Sequence, residues 1–364
     1  MVTAIDDTTY ENQFNQKKER LAELLAPFQA PELDLFRSPA QHYRMRAEFR
    51  VWHEGDDLYY VMFDSATKEK YRVDQLPAAN QLINRLMPAI LDYVRNKPSL
   101  RHRLFQVDFL TTTTNEAVIS LLYHRQLDDQ WQDDITAMRT AFQKFGRIDF
   151  IGRARKQKIL CERERVTETL MIDDHPYYFE HIENSFTQPN AVVNQHMISW
   201  AKVVADNSER DLLELYCGNG NFSIPLAASF RRVFGTEISR TSVQSAQHNI
   251  ALNEVQNVRI ERLAAEDCSA IIQGGELPGR LKDLNLADYD FGTVLVDPPR
   301  AGLDQDTVAM VSQFDNIIYI SCNPETLAEN LVTLQQTHRV ASAAFFDQFP
   351  FTHHIEAGVY LTRR

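Results

Sequence analysis

The chain has 364 residues, 44% hydrophobic and 24% charged, with 38 Lys+Arg against 50 Asp+Glu and a net charge of −12. This length suits two domains that each bury a core, and the balance of apolar and charged residues excludes long disorder and a fibrous chain. The acidic sum excludes a protein that coats nucleic acid indiscriminately, while leaving room for a local basic face.

No apolar run approaches the roughly 18 to 20 residues that span a bilayer, and Met1–Tyr10 is acidic and polar rather than a leader, so a cytoplasmic protein is expected. The four cysteines, Cys161, Cys217, Cys268 and Cys322, form no CxxC pair, which argues against a disulfide framework and against a cysteine-held zinc or iron–sulfur site.

In chain order, Thr8-x-x-Glu11 reads as a capping box opening an amphipathic helix to Phe28, with Phe14, Leu21, Leu24 and Leu25 at helical spacing. MRAEFRVW and LYYVMF flank His53–Asp57 as a hairpin, with Arg44, Arg46 and Arg50 alternating along the first strand. Pro77 to Lys97 has helical periodicity with a proline at its start, and LFQVDFLTT with EAVISLLYH forms a second hairpin around Thr114-Asn115. A helix over 129–145 follows, then short β-rich pieces over 147–183. Within them, 144–165 carries Lys144, Arg147, Arg153, Arg155, Lys156, Lys158, Arg163 and Arg165 against Asp149, Glu162 and Glu164. This basic stretch is a candidate for phosphate contact; its plain alternative is a solvated strand or turn.

Near 185 the pattern changes. A helical run, Ala191–Val204, leads into DLLELY, RRVFGTE, VRIERL, GTVLVD, NIIYIS, VASAAFF and GVYLTR, with helical segments between. Strand and helix alternating in this way predict a mostly parallel seven-stranded α/β sheet with helices on both faces. The chain therefore divides into an α+β domain, 1–185, and an α/β domain, 186–364.

In such sheets ligands bind beyond the carboxyl ends of the strands. The first of these ends reads Glu214-Leu-Tyr-Cys-Gly-Asn-Gly-Asn221, whose glycines let backbone approach a ligand; alone it could equally be a tight turn. Glu237 ends the next strand about 20 residues on, the spacing at which a carboxylate meets ribose hydroxyls. The pair suggests an adenosine-containing ligand. A nicotinamide cofactor competes, but Phe222 stands near where the third glycine of a dinucleotide fingerprint belongs. A later strand ends in Asp297-Pro-Pro-Arg300, a stiff loop with free carbonyls, although Asp297 could be a turn former. The next ends in Ser321-Cys322-Asn323-Pro324 before a helix, whose N-terminus is expected to lower the Cys322 pKa. Cys217 reads as a packing residue of the glycine loop, and Cys161 and Cys268 as small buried hydrophobes.

Taken together, Phe186-x-Gln188, Glu214 to Phe222, Glu237, Asp297 to Gly302, Ser321 to Pro324 and His354 to Gly358 resemble the RNA uracil-5-methyltransferase family. The N-terminal stretches MRAEFRVWHEGDDLYYVMFD and LFQVDFLTTTTNEAVISLLYHRQLDD are similar to the bacterial branch acting on tRNA, and the oligonucleotide-binding module and four-cysteine cluster of ribosomal-RNA relatives are missing. The resemblance implies a Rossmann-like class I S-adenosylmethionine-dependent methyltransferase domain over 186–364 and a tRNA-binding domain over 1–185. It implies methylation of carbon 5 of the T-loop uridine, position 54, giving ribothymidine, with tmRNA a further substrate, and a monomer that uses neither metal nor iron–sulfur cluster.

It also assigns roles. Cys322 is the nucleophile and Glu356, by default a surface residue, is the base; Gln188, Tyr216, Asn221, Glu237 and Asp297 hold the cofactor. A uridine attacked on both faces must be flipped out of its loop, so Phe105, Tyr43, Arg50 and His124 are candidate RNA contacts. Two other readings compete. A cytosine-5 or adenine-amino methyltransferase shares the fold, but an adenine enzyme should follow Pro-Pro with an aromatic, and Arg300 stands there. An RNA-binding or RNA-folding protein with an idle site is the other.

Overall fold

The computed structural model describes residues 7–64, 66–205, 209–272, 274–276, 279–281 and 284–364. Of the opening stretch read as lacking a leader, residues 1–6 lie outside the described residues. Among those described, no helix is long and apolar enough to cross a membrane. The chain forms two compact units, one of residues 1–38, 170–179 and 192–364 and the other of 39–169 and 180–191. The division at 185 is therefore corrected: the N-terminal 38 residues cluster with the C-terminal half.

The first unit is built on an eight-stranded sheet. Its strands are β1 (Asp34–Phe36), β2 (Asp211–Leu215), β3 (Val233–Glu237), β4 (Val258–Arg262), β5 (Phe291–Val296), β6 (Asn316–Ser321), β7 (His338–Phe346) and β8 (Glu356–Arg363). The order across the sheet is β1-β7-β8-β6-β5-β2-β3-β4. Seven strands are those read from the sequence. The eighth, β1, pairs in parallel with β7, Asp34 to Ala344 and Phe36 to Phe346. It was hidden because three residues carry no period. β5 and β6 are mostly apolar, and they and β2, which also buries Asp211 and Glu214, are buried along almost their whole lengths, as parallel strands covered on both faces require. β8 alone runs antiparallel to both its neighbours, β6 and β7.

The opening helix, Asp7–Leu25, starts ahead of the predicted cap at Thr8 and ends in a 3₁₀ turn, Ala26–Phe28. It packs Phe14 on Phe345, ring centroids 5.0 Å apart, which with β1 explains why this segment joins the first unit. Residues 170–179, the tip of the ribbon formed by Arg165–Ile172 and His175–Ile182, join it too. Met171 N donates to Gln195 Oε1, and Lys202 pairs with Asp173 at 2.8 Å.

The second unit is the α+β domain expected. Both predicted hairpins form, Arg46–Glu54 with Asp57–Phe63 and Leu104–Thr111 with Glu116–Tyr123, in a seven-stranded sheet. Helix Asp129–Phe142 is the crossover that lets Arg147–Ala154 lie parallel to Glu116–Tyr123. The helix expected from Pro77 instead starts at Gln81, because the Asn80 side chain caps it by accepting from Leu82 N. Both helices cover one core around Phe49, Tyr60, Ile90, Trp131 and Phe150.

Gly358, on β8, is a close-approach position: a Cβ there would come within 2.8 Å of Trp200 Cζ3 and 3.0 Å of Phe346 Cε2. Both neighbours are rigid rings. Gly358→Ala is expected to lower stability by about 1–3 kcal/mol, read as a shifted urea midpoint at constant slope. An unchanged midpoint would show that the two rings give way freely.

Candidate active site

The strand ends bring most of the predicted residues together. β5 and β6 are adjacent and parallel, Val296 opposite Tyr319, so Asp297 and Cys322 leave neighbouring strands at the same sheet edge. Because β8 returns antiparallel, Ser321 pairs with Ala357, which sets Cys322, one residue on, level with Glu356. Glu356 is only 4% exposed, so its default surface reading does not hold.

Side-chain amides fasten these loops. Asn323 Nδ2 donates to Arg300 O at 2.9 Å, and Asn330 donates to Leu303 O and accepts from Leu303 N and the Tyr319 hydroxyl. Helix Pro324–Leu334 thus locks the turn after Asp297 to the strand that carries Cys322. Sequence reading missed Asn330, since one asparagine on a helix gives no signal of its own.

The cofactor-side loop is equally tied. Tyr216, Gly218 and Gly220 all have left-handed backbone, with φ of 60°, 56° and 88°. For Tyr216 this is an uncommon conformation of the kind concentrated at functional loops. At Gly220 a Cβ would come within 2.9 Å of Ile224, whereas the space at Gly218 is open. Glu237 accepts from Gly218 N at 3.0 Å and Ser239 N at 2.7 Å, which fixes its carboxylate beside the loop. Asn221 forms a reciprocal amide pair with the buried Asn194, at 2.8 and 2.9 Å. Glu214 is buried, with one oxygen taking the Ser223 hydroxyl and Oε1 without a partner among the described residues. Asn194 and the carboxyl of Glu214 are further site residues that the motif reading did not single out.

Gln188 belongs to the other unit, where Pro189 O accepts from Met45 N and Asn190 bridges Arg44, so it is not among the side chains that this sheet assembles.

Carboxyls crowd the thiol. Burial pushes Asp297 up to about 7, and burial and then Asp297 raise Glu356 well above the usual range. Cys322 is pushed up to about 11 by burial and then by Glu356 and Asp297, with Arg300 opposing. The expected lowering at the helix N-terminus is therefore corrected: burial and two carboxyls outweigh it. Cys217 is buried with Val243, Ala246 and Ile260 and raised strongly by burial, a packing residue as read. Burial likewise pushes Cys161 and Cys268 up to about 12.

In the second unit, Phe105 and His124 stack with centroids 3.8 Å apart, and the Arg50 guanidinium lies 5.5 Å from the Phe105 ring. Tyr43 is buried and drops out as a surface contact. Most of the basic stretch is neutralised: Arg147 and Arg163 pair with Glu116, Arg153 and Lys158 with Glu183, and Arg165 with Glu180.

The model of the tRNA (Uracil-5-)-methyltransferase family matches residues 9–364. The chain belongs to this family. A tRNA/tmRNA (uracil-C(5))-methyltransferase of Idiomarina loihiensis is 54% identical, covering 99% of this chain and 98% of its own. One of Proteus mirabilis is 51% identical over 100% of both chains. Among solved structures, the Pyrococcus abyssi tRNA (uracil-54, C5)-methyltransferase in complex with S-adenosyl-L-homocysteine shares the fold, with a TM-score of 0.73 at 22% identity over 97% of this chain and 83% of that one. The fold is thus that of an S-adenosylmethionine-dependent methyltransferase. The open space at Gly218, the orphaned Glu214 oxygen and the fixed Glu237 fit that cofactor.

Glu214 is pushed up to about 8 by burial, from an ordinary 4.5. The folded state thus holds a proton that the unfolded chain releases, so its contribution is complete below about pH 4.5 and is lost as pH rises toward 8. Glu214→Gln is expected to flatten the fall of stability over that window by up to about 1.4 kcal/mol per pH unit, measured by denaturant titration at several pH values. Parallel curves for the two proteins would contradict a protonated Glu214.

Proposed function

We propose that this protein transfers a methyl group from S-adenosylmethionine to carbon 5 of uridine 54 in the T loop of tRNA, and acts on tmRNA too, as a cytoplasmic monomer. The observation that carries the reading is the register that sets a cysteine and a buried carboxyl level on adjacent strands beside a nucleoside-type loop. The full-length similarity to tRNA/tmRNA enzymes supports the substrate class.

Carbon 5 of uracil is too weak a nucleophile to take a methyl group unaided. Cys322 adds as thiolate to carbon 6, the S–C6 bond forms, and the π electrons of the 5,6 bond move into an enolate. Because the thiol rests protonated, its proton passes to solvent as that bond forms, and Glu356 must be ionised to act afterwards as the base. Bound S-adenosylmethionine would supply an electrophilic methyl on a cationic sulfur, to be taken by carbon 5 as the methyl–sulfur bond breaks and S-adenosylhomocysteine is left. Glu356 removes the carbon-5 proton, the S–C6 bond breaks, and the thiolate departs as the double bond returns. Tyr216, Asn221, Glu237 and Asp297 would hold the cofactor. The stack of Arg50, Phe105 and His124 offers flat cationic and aromatic faces to unpaired bases.

Two experiments check these roles. Incubation with 5-fluorouridine tRNA and S-adenosylmethionine should give a methylated protein–RNA adduct mapped to Cys322 by mass spectrometry, because fluorine does not leave as a proton does. Cys322→Ala should bind tRNA without any adduct, and Glu356→Gln should accumulate the methylated adduct on ordinary tRNA. No adduct, with ordinary tRNA unmethylated, would favour an RNA-binding protein. Separately, Glu237→Ala should weaken S-adenosylmethionine binding roughly 10- to 100-fold by calorimetry, the loss expected for charge-assisted hydrogen bonds. An unchanged affinity would remove Glu237 from the cofactor site.

A further inference from the structure

The opening helix Asp7–Leu25 carries an anomaly. Its buried stripe of Tyr10, Phe14, Leu21 and Leu25 includes Lys17, only 6% exposed. A buried ammonium requires partners, and burial lowers the pKa of this one. Lys17 Nζ donates to Asp347 Oδ1 and to Phe349 O, each at 2.8 Å. Gln13, one turn earlier, donates to the other Asp347 oxygen at 2.8 Å and accepts from Phe351 N at 3.3 Å. Asp347 N in turn donates to Phe36 O, on β1. The start of the turn 347–355 is thus held from the helix by Tyr10, Gln13 and Lys17 and once from the edge strand.

What lies at the two ends of that turn gives the arrangement its consequence. Asp347 directly follows Phe346, and Phe346 is the cross-strand partner of Glu356. The helix therefore fixes the turn whose far end carries the carboxyl facing Cys322. A buried ion pair is a poor device for stability, since an apolar pair of the same shape serves as well or better; what directed bonds add is orientation. The same helix also reaches Glu325 through Arg20, but that pair is about half exposed and worth little.

We propose that Lys17, acting through Asp347, is a positioning residue for the Glu356 carboxyl. The proposal rests on the reading of Glu356 as the base that removes the carbon-5 proton. A displaced turn leaves thiolate addition and methyl transfer possible and slows the last step, so methylated adduct should build up.

The test uses the full-length protein with ordinary tRNA and S-adenosylmethionine, comparing wild type, Lys17→Met, Lys17→Arg, Arg20→Ala and Glu356→Gln. Lys17→Met should lower kcat roughly 10- to 100-fold while both KM values stay within about threefold, with methylated adduct visible on denaturing gels. Lys17→Arg should recover part of kcat, and Arg20→Ala should match wild type. Should Lys17→Met not fold, the double variant Lys17→Met/Asp347→Leu, which strands no buried charge, takes its place with the same expected signature. Wild-type kcat in the variant, or a fall in kcat with no adduct while Glu356→Gln accumulates it, overturns the positioning role. If Glu356→Gln itself accumulates none, the assignment of the base fails, and the proposal with it.

Discussion

One constraint organises the catalytic unit: β8 is antiparallel in a sheet that otherwise runs parallel around the site. Parallel strands deliver their carboxyl ends to one edge, which is how Glu237, Asp297 and Cys322 come to share it. A strand's first residue reaches that edge only by running the other way. Glu356 is the first residue of β8, so the reversal alone brings a carboxyl level with the thiol.

The cost of that arrangement is electrostatic. Glu214, Asp297 and Glu356 are all raised by burial, and Glu214 and Glu356 are raised further by Asp297. Each carboxyl makes its neighbours harder to ionise, and Cys322 is held as a thiol by the same crowding. Cys322 and Glu214 therefore rest protonated near neutral pH, and Glu356 has to give up a proton before it can act as a base.

Much of this was legible in the chain. Strand and helix alternation gave seven of the eight strands, and the loops after Leu215, Glu237, Val296 and Ser321 were recognisable because ligand contacts in such folds cluster at strand ends. What could not be read were relations between distant residues. Glu356 looked like a surface carboxylate, since its burial depends on which strands flank β8. The Cys322 proton affinity was misjudged because the helix terminus is local in sequence whereas the opposing carboxyls are not. The basic stretch suggested phosphate contact, yet its partners Glu116, Glu180 and Glu183 lie outside it. Lys17 went unread within the apolar stripe, because its partner Asp347 stands 330 positions away.

The interleaving of the catalytic unit bears on how the protein comes to exist. β1, at Asp34–Phe36, has its sheet partner among the described residues in β7, at His338–Phe346. On the ribosome the helix and edge strand emerge well before β7 and have no strand to pair with until it has been made, while residues 39–169 are synthesised in the interval. Such long loops close slowly and leave apolar surface waiting. The stripe of Phe14, Leu21 and Leu25 is thus a segment that a nascent chain must keep shielded, and its docking is among the closing events of folding.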